Sequence, residues 1–158
     1  MKKKVLVSAC LLGKNCRYNG GNSQSNELKD FEVEWIPVCP EELGKLGTPR
    51  PAAELLTNAK QVLSGNGKIV NIDGEIVTRL FIKGAEESLK IGQHSHITTA
   101  ILKSRSPSCG LGEVYDGSFT GTIRKGNGVF TQLCLENKIN CISSDDISQI
   151  KKTLTKLK

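Results

Sequence analysis

A chain of 158 residues and 17.1 kDa is long enough to bury a core without disulfides, because a domain of about 150 residues hides roughly two-thirds of its unfolded surface. It reads as one domain over residues 1–158. Hydrophobic residues at 37% and charged residues at 24% exclude a disordered chain, and no apolar run approaches the roughly 20 residues of a membrane span. The net charge of +6 suggests nucleic acid only until its distribution is read. Lys2, Lys3, Lys4, Lys151, Lys152, Lys156 and Lys158 supply seven of the 22 basic residues, which leaves 15 basic against 16 acidic residues in positions 5–150. The four Phe, two Tyr and one Trp do not alternate with a basic run, so no nucleic-acid partner is expected.

In chain order, the run KVLVSA within residues 3–9 predicts a buried strand ending at Cys10. It is too short for a signal-peptide core, so a cytoplasmic protein with no membrane contact is expected. A long loop rich in Gly and Asn, residues 11–26, follows; long loops in compact domains are often functional. Residues 33–38 form a second strand, ending at Cys39. Asp73-Gly74 between residues 68–72 and 75–78 signals a tight hairpin. Leu80, Phe81, Gly84, Ala85, Ser88 and Leu89 fall at helical spacing between residues 78 and 92. Residues 97–102 are a third strand, leading into Lys103-Ser104-Arg105-Ser106-Pro107-Ser108-Cys109-Gly110, and residues 115–119 read as a turn. A helix opens at Gly126-Asn127-Gly128 with Val129, Phe130, Leu133 and Cys134 on one face. After a strand at 139–142, Ser143 or Ser144 caps a last helix with Ile147, Ile150, Leu154 and Leu157 inward. Strands alternating with helices predict an α/β fold: a mainly parallel, Rossmann-like sheet flanked by helices, with a small β-hairpin insertion.

Six cysteines in a chain with no secretory signal suggest metal binding or catalysis. Cys10, Cys39 and Cys109 each lie just beyond a strand, and in a parallel sheet those carboxyl ends share one ligand-binding edge. Cys16 can join them. Cys134 and Cys141 fall on an apolar helix face and inside a strand, where free Cys packs as a small hydrophobe. The chain lacks the close Cys pairs of structural zinc; an iron–sulfur cluster accepts scattered thiolates when the fold gathers them. On spacing alone, a metal centre and unliganded loop thiols both fit. Glu41, two residues after Cys39, suits either a helix first turn or a general acid–base whose pKa burial raises. The hydroxyls of the 103–110 loop suit either a turn or hydrogen bonding to a bound group. Arg124-Lys125-Gly126-Asn127-Gly128 fits an anion site or a plain turn. His94 and His96 read as a helix-end loop at the opposite edge.

Several of these segments together resemble the catalytic domain of the thiouracil desulfidase family. They are Ser8-Ala9-Cys10-Leu11-Leu12-Gly13, Cys16-Arg17-Tyr18-Asn19-Gly20, Pro37-Val38-Cys39-Pro40-Glu41, Thr48-Pro49-Arg50-Pro51, KSRSPSCG at 103–110, Tyr115-Asp116-Gly117-Ser118-Phe119 and Gly126-Asn127-Gly128-Val129. The resemblance spans nearly the whole chain in order, and KSRSPSCG is its most specific element. It implies a [4Fe-4S] cluster held by Cys10, Cys39 and Cys109 with one iron open, and catalysis by Glu41 and Ser104. Cys16, Arg17, Arg50, Lys103, Arg105, Ser108, Gly126 and Gly128 fall in motif positions that imply support of the cluster or contact with substrate, Cys16 being also a fallback ligand. The implied substrate is a small thiolated pyrimidine, whose C=S becomes C=O by net hydrolysis with sulfide released. Longer family members carry a second domain, so this chain is expected to be a short form. Three other readings stand beside it: an accessory or regulatory domain binding a cluster or zinc, a metal-free sulfurtransferase carrying persulfide on Cys109 or Cys16, and an inert domain with free thiols.

Overall fold

The computed structural model describes residues 2–156. The elements run β1 (Lys4–Ser8), a 3-10 turn (Ala9–Leu12), a second 3-10 turn (Asn26–Asp30), β2 (Glu34–Val38), α1 (Pro40–Leu43), β3 (Ala53–Leu55), α2 (Ala59–Leu63), β4 (Ile69–Asn71), α3 (Thr78–His94), β5 (Thr99–Leu102), β6 (Glu113–Tyr115), β7 (Ile123–Lys125), α4 (Val129–Glu136), β8 (Asn140–Ser143) and α5 (Ile147–Lys156). Four strands form one parallel sheet in the order β2-β1-β5-β8. The expected α/β sheet flanked by helices is therefore present.

Central position explains the first strand. Val5, Leu6 and Val7 of β1 are wholly inaccessible because both faces of the strand are covered, so the strand reads as a continuous apolar run. Leu6 packs with Phe81, Ala85 and Phe130 in one core cluster. Val5 and Val7 pack with Ile142, Ile150 and Leu154 in the other. Pro37 has no N–H for a ladder, and it is exposed on β2, an edge strand, where that loss is tolerated.

Four features differ from the sequence expectations. The Asp73-Gly74 turn forms, but the arm after it shrinks to one bridge, Val70 to Ile76. β4 pairs instead with β3, a three-residue strand too short to show a period. Thr78, the last residue of the second arm, begins α3. The 115–119 turn is the tip of a second hairpin, β6 with β7. The cap of α5 is neither Ser143 nor Ser144: Asp146 Oδ1 accepts the Gln149 N–H at 3.2 Å. Ser144 Oγ instead accepts the Ser104 N–H at 3.0 Å. Leu157 lies outside the described residues.

Candidate functional site

From β1 the chain crosses to β2 on one side and then to β5 on the other, so the topological switch point lies between β1 and β5, and ligands bind beyond the carboxyl ends of such strands. Cys10 sits in the 3-10 turn directly after β1. Cys39 follows β2 as the residue before α1, with Pro40 at the first helical position, where its missing N–H costs nothing. Cys109 closes the loop after β5. The gap is bridged at Ser8, whose Oγ accepts the Lys103 N–H at 2.9 Å. Cys16 enters from the long loop; its carbonyl accepts from Arg50 Nη2 at 3.0 Å and from Cys39 Sγ at 3.7 Å.

All four thiols are buried and line one cavity of about 740 Å³. Glu41, 8% exposed, shares it, with its Oε2 3.9 Å from Cys39 Sγ. Two close backbone approaches fix these walls. A Cβ on Gly84 of α3 would lie 1.8 Å from the Pro40 carbonyl oxygen, so only glycine lets α1 seat on α3. A Cβ on Gly128 would lie 2.4 Å from the carbonyl carbon and oxygen of Ser108, so α4 holds the Cys109 loop by backbone contact.

Three of these thiols, Cys16, Cys39 and Cys109, resist ionisation. Hydrogen bonding to Cys10 pushes Cys16 up to about 11, with burial adding to it and the bond to Cys39 opposing. Cys39 is pushed up by its bond with Cys16, by burial and by the Glu41 charge. Burial and then the Glu41 charge push Cys109 well up. Burial, followed by the charge of Arg17, lowers the Lys103 ammonium. That ammonium donates to Ser104 Oγ at 3.2 Å, which leaves the Ser104 hydroxyl hydrogen free to donate elsewhere. Among the described residues, no three His, Cys, Asp or Glu side chains are gathered for a single metal ion; the thiols surround a cavity instead.

Residues 5–146 match the model of the 2-thiouracil desulfurase family. The chain belongs to that family. A relative in Bacillus subtilis (strain 168), the uncharacterized protein YbbK, is 38% identical over 149 residues, covering 92% of this chain and 99% of its own. A solved structure of TudS, a [4Fe-4S]-dependent thiouracil desulfidase, superposes with a TM-score of 0.86 at 37% identity, over 98% of this chain and 99% of that one. The resemblance read from the motifs is thus shown.

In this desulfurase-family chain the cavity gathers Cys10, Cys16, Cys39, Cys109, Glu41, Ser104, Arg17, Arg50, Lys103 and Arg105. Ser108, Gly126 and Gly128 do not line it. The N–H groups of Gly128, Val129 and Thr131 are taken by the carbonyls of Gly110, Pro107 and Ser108, so the start of α4 clamps the Cys109 loop with donors an anion would need. Arg50 also holds the Gly47 carbonyl at 2.8 Å, and Arg105 pairs with Asp145 at 3.4 Å. Sequence reasoning missed the far wall, where Glu54, Asn71 and Phe119 come in from the two hairpins. The shortness of β3 hid Glu54, and the 68–72 arm that carries Asn71 was expected to pair with residues 75–78 rather than with β3. Phe119 was visible only inside the turn motif Tyr115–Phe119. No helix among the described residues is long and apolar enough to cross a membrane.

Proposed function

We infer that this protein is a [4Fe-4S]-dependent desulfidase acting on small thiolated pyrimidines such as thiouracil, with residues 1–158 as one catalytic unit. The observation that carries the reading is the convergence of Cys10, Cys39 and Cys109, from the ends of three neighbouring strands, on one cavity beside a buried carboxylate. The 37% identity to TudS along nearly the whole chain supports it. The donor set fits an iron–sulfur cluster. Thiols spread around a cavity suit a group of several irons, and a bound cation ionises a coordinating thiol outright, which overrides the burial that raises Cys39 and Cys109. Arg17, Lys103 and Arg105 on the same cavity balance the negative charge of three thiolates. Cys16, whose carbonyl accepts from Cys39 Sγ at 3.7 Å, is the adjoining thiol.

When bound, the cluster supplies a Lewis-acidic iron that polarises the C=S bond. The residues do the remaining work. Glu41 takes a proton from the attacking water at Oε2 and returns it to the departing sulfur. Ser104, its oxygen anchored by Lys103, donates to the heterocycle as charge develops there. One water is consumed, one hydrogen sulfide leaves, and no electrons are exchanged. A metal-free persulfide carrier needs a thiolate, and the burial and hydrogen bonding that raise Cys109 and Cys16 work against it.

The test is oxygen-free purification, reconstitution with iron and sulfide, iron analysis with absorption and EPR spectra, and a thiouracil assay. About four irons per chain with sulfide and uracil formed in equal amounts is the expected result. A protein that takes up no iron, or whose activity survives chelation, overturns the reading.

A further inference from the structure

The cavity has a far wall built without cysteines. Glu54 on β3 is 9% exposed. Its Oε1 accepts the N–H of Gly117 at 2.9 Å and of Phe119 at 3.2 Å, across more than 60 residues of sequence. Both Glu54 and Phe119 line the cavity. Phe119 has φ +57°, a left-handed conformation in which a bulky residue is an outlier. Core burial does not account for it, since the residue is only half-buried. The turn is braced further: Asp116 Oδ1 accepts the Ser118 N–H at 2.9 Å, and the Thr120 and Thr122 hydroxyls bond at 2.8 Å. Backbone strain persists only where its surroundings over-determine it, and it concentrates at ligand clamps. Here a buried carboxylate holds a strained aromatic residue against a cavity.

We propose that Phe119 is a specificity-determining residue that covers the face of the substrate's heteroaromatic ring, and that Glu54 is its positioning residue. The inference rests on the desulfidase reading and extends it to substrate choice. A phenyl face stacks on any planar heterocycle, and loss of such a contact weakens binding by about tenfold. The position relative to the reacting carbon is unaffected once substrate is bound, so the loss falls on KM.

The test uses the reconstituted holoenzyme, with thiouracil kinetics and calorimetric binding of uracil. Phe119→Ala is expected to raise KM and weaken uracil by about tenfold with kcat within about twofold, while Phe119→Tyr keeps both. Glu54→Ala reproduces the KM defect. Glu54→Gln, whose amide oxygen accepts the same two N–H bonds, restores KM. The double variant Glu54→Ala with Phe119→Ala is no worse than Phe119→Ala alone, because the two act as one unit. Unchanged KM and uracil affinity in Phe119→Ala overturns the proposal and leaves the desulfidase reading standing. Additive defects in the double variant, or no rescue by Gln, overturn the role of Glu54. A wild-type holoenzyme inert on thiouracil and without affinity for uracil overturns both readings.

Discussion

Cys109 and Cys134 are almost equally inaccessible, at 3% and 0%, and both border the same apolar core, yet only one of them reaches the cavity. Cys109 ends a loop beyond a strand and meets Cys10, Cys16 and Cys39 at a cavity. Cys134 lies on α4 beside Cys141 of β8, whose Sγ donates to the Ile139 carbonyl at 3.6 Å, with apolar side chains around it. Burial therefore does not separate a working thiol from a packed one. Position along the strand does: a side chain inside an element is taken up by the core, whereas one just past the carboxyl end faces the shared edge where the helices leave room.

The sharpest way to break this comparison is to remove thiols from each region in turn. Cys10→Ala, Cys39→Ala and Cys109→Ala should each abolish retained iron and activity, while Cys134→Ala keeps both and loses only about 1 kcal/mol of stability from a small core void. Iron per chain after desalting decides it; full iron in the first three variants would sink the ligand assignment. Next in size is Glu41→Gln, expected to keep iron and lose at least about 100-fold in kcat, the range of a general acid–base. Wild-type turnover there removes Glu41 from the chemistry.

How much of this was legible depended on element length. The apolar runs before Cys10, Cys39 and Cys109 are long enough to read as strands, and strand ends in a parallel sheet fix where those thiols go. Glu54 was invisible because β3 has only three residues, too few for a period, and because its partners Gly117 and Phe119 are distant in sequence. The start of α4 left an anion site and a plain turn both open for a related reason. A Gly-rich helix start looks like an anion cradle, and nothing local reveals that Pro107, Ser108 and Gly110 fill it. The cap at Asp146 lay two and three residues past the serines chosen, within the usual uncertainty of a helix boundary read from sequence.

The same contrast predicts a stability effect of intermediate size. Gly84→Ala places a methyl 1.8 Å from the Pro40 oxygen. Forced separation of α1 from α3 should cost about 3 kcal/mol, more than the roughly 1 kcal/mol that alanine gains over glycine in a helix. Because α1 carries Glu41 and follows Cys39, the variant should lose activity as well as thermal midpoint. Denaturant unfolding beside a kcat measurement checks both, and an unshifted midpoint would show that the helices part freely.

The smallest effect separates the two regions by pH. Glu42 Oε2 accepts from the Thr48 hydroxyl at 2.6 Å, and its Oε1 pairs with Lys14 at 3.0 Å, tying α1 to the loop that carries Cys16. The hydrogen bond from Thr48, followed by the one from Lys14, holds this carboxyl below its ordinary 4.5 against the opposing pull of burial. A depressed carboxylate favours the folded state at pH values above the ordinary 4.5, and that contribution disappears as pH falls through the lower folded value. It is worth about 1 kcal/mol, since the pair is partly exposed and screened. Glu42→Gln should therefore lower stability at pH 7 by about that amount, with the difference from wild type shrinking as pH falls below the ordinary 4.5. Around Cys134 no carboxylate is hydrogen-bonded to either thiol, so amide exchange in α4 should stay protected over the same range while the 14–18 segment loosens. Equal loosening of both would mean that acid acts on the whole fold and that the edge is not held by its own polar ties.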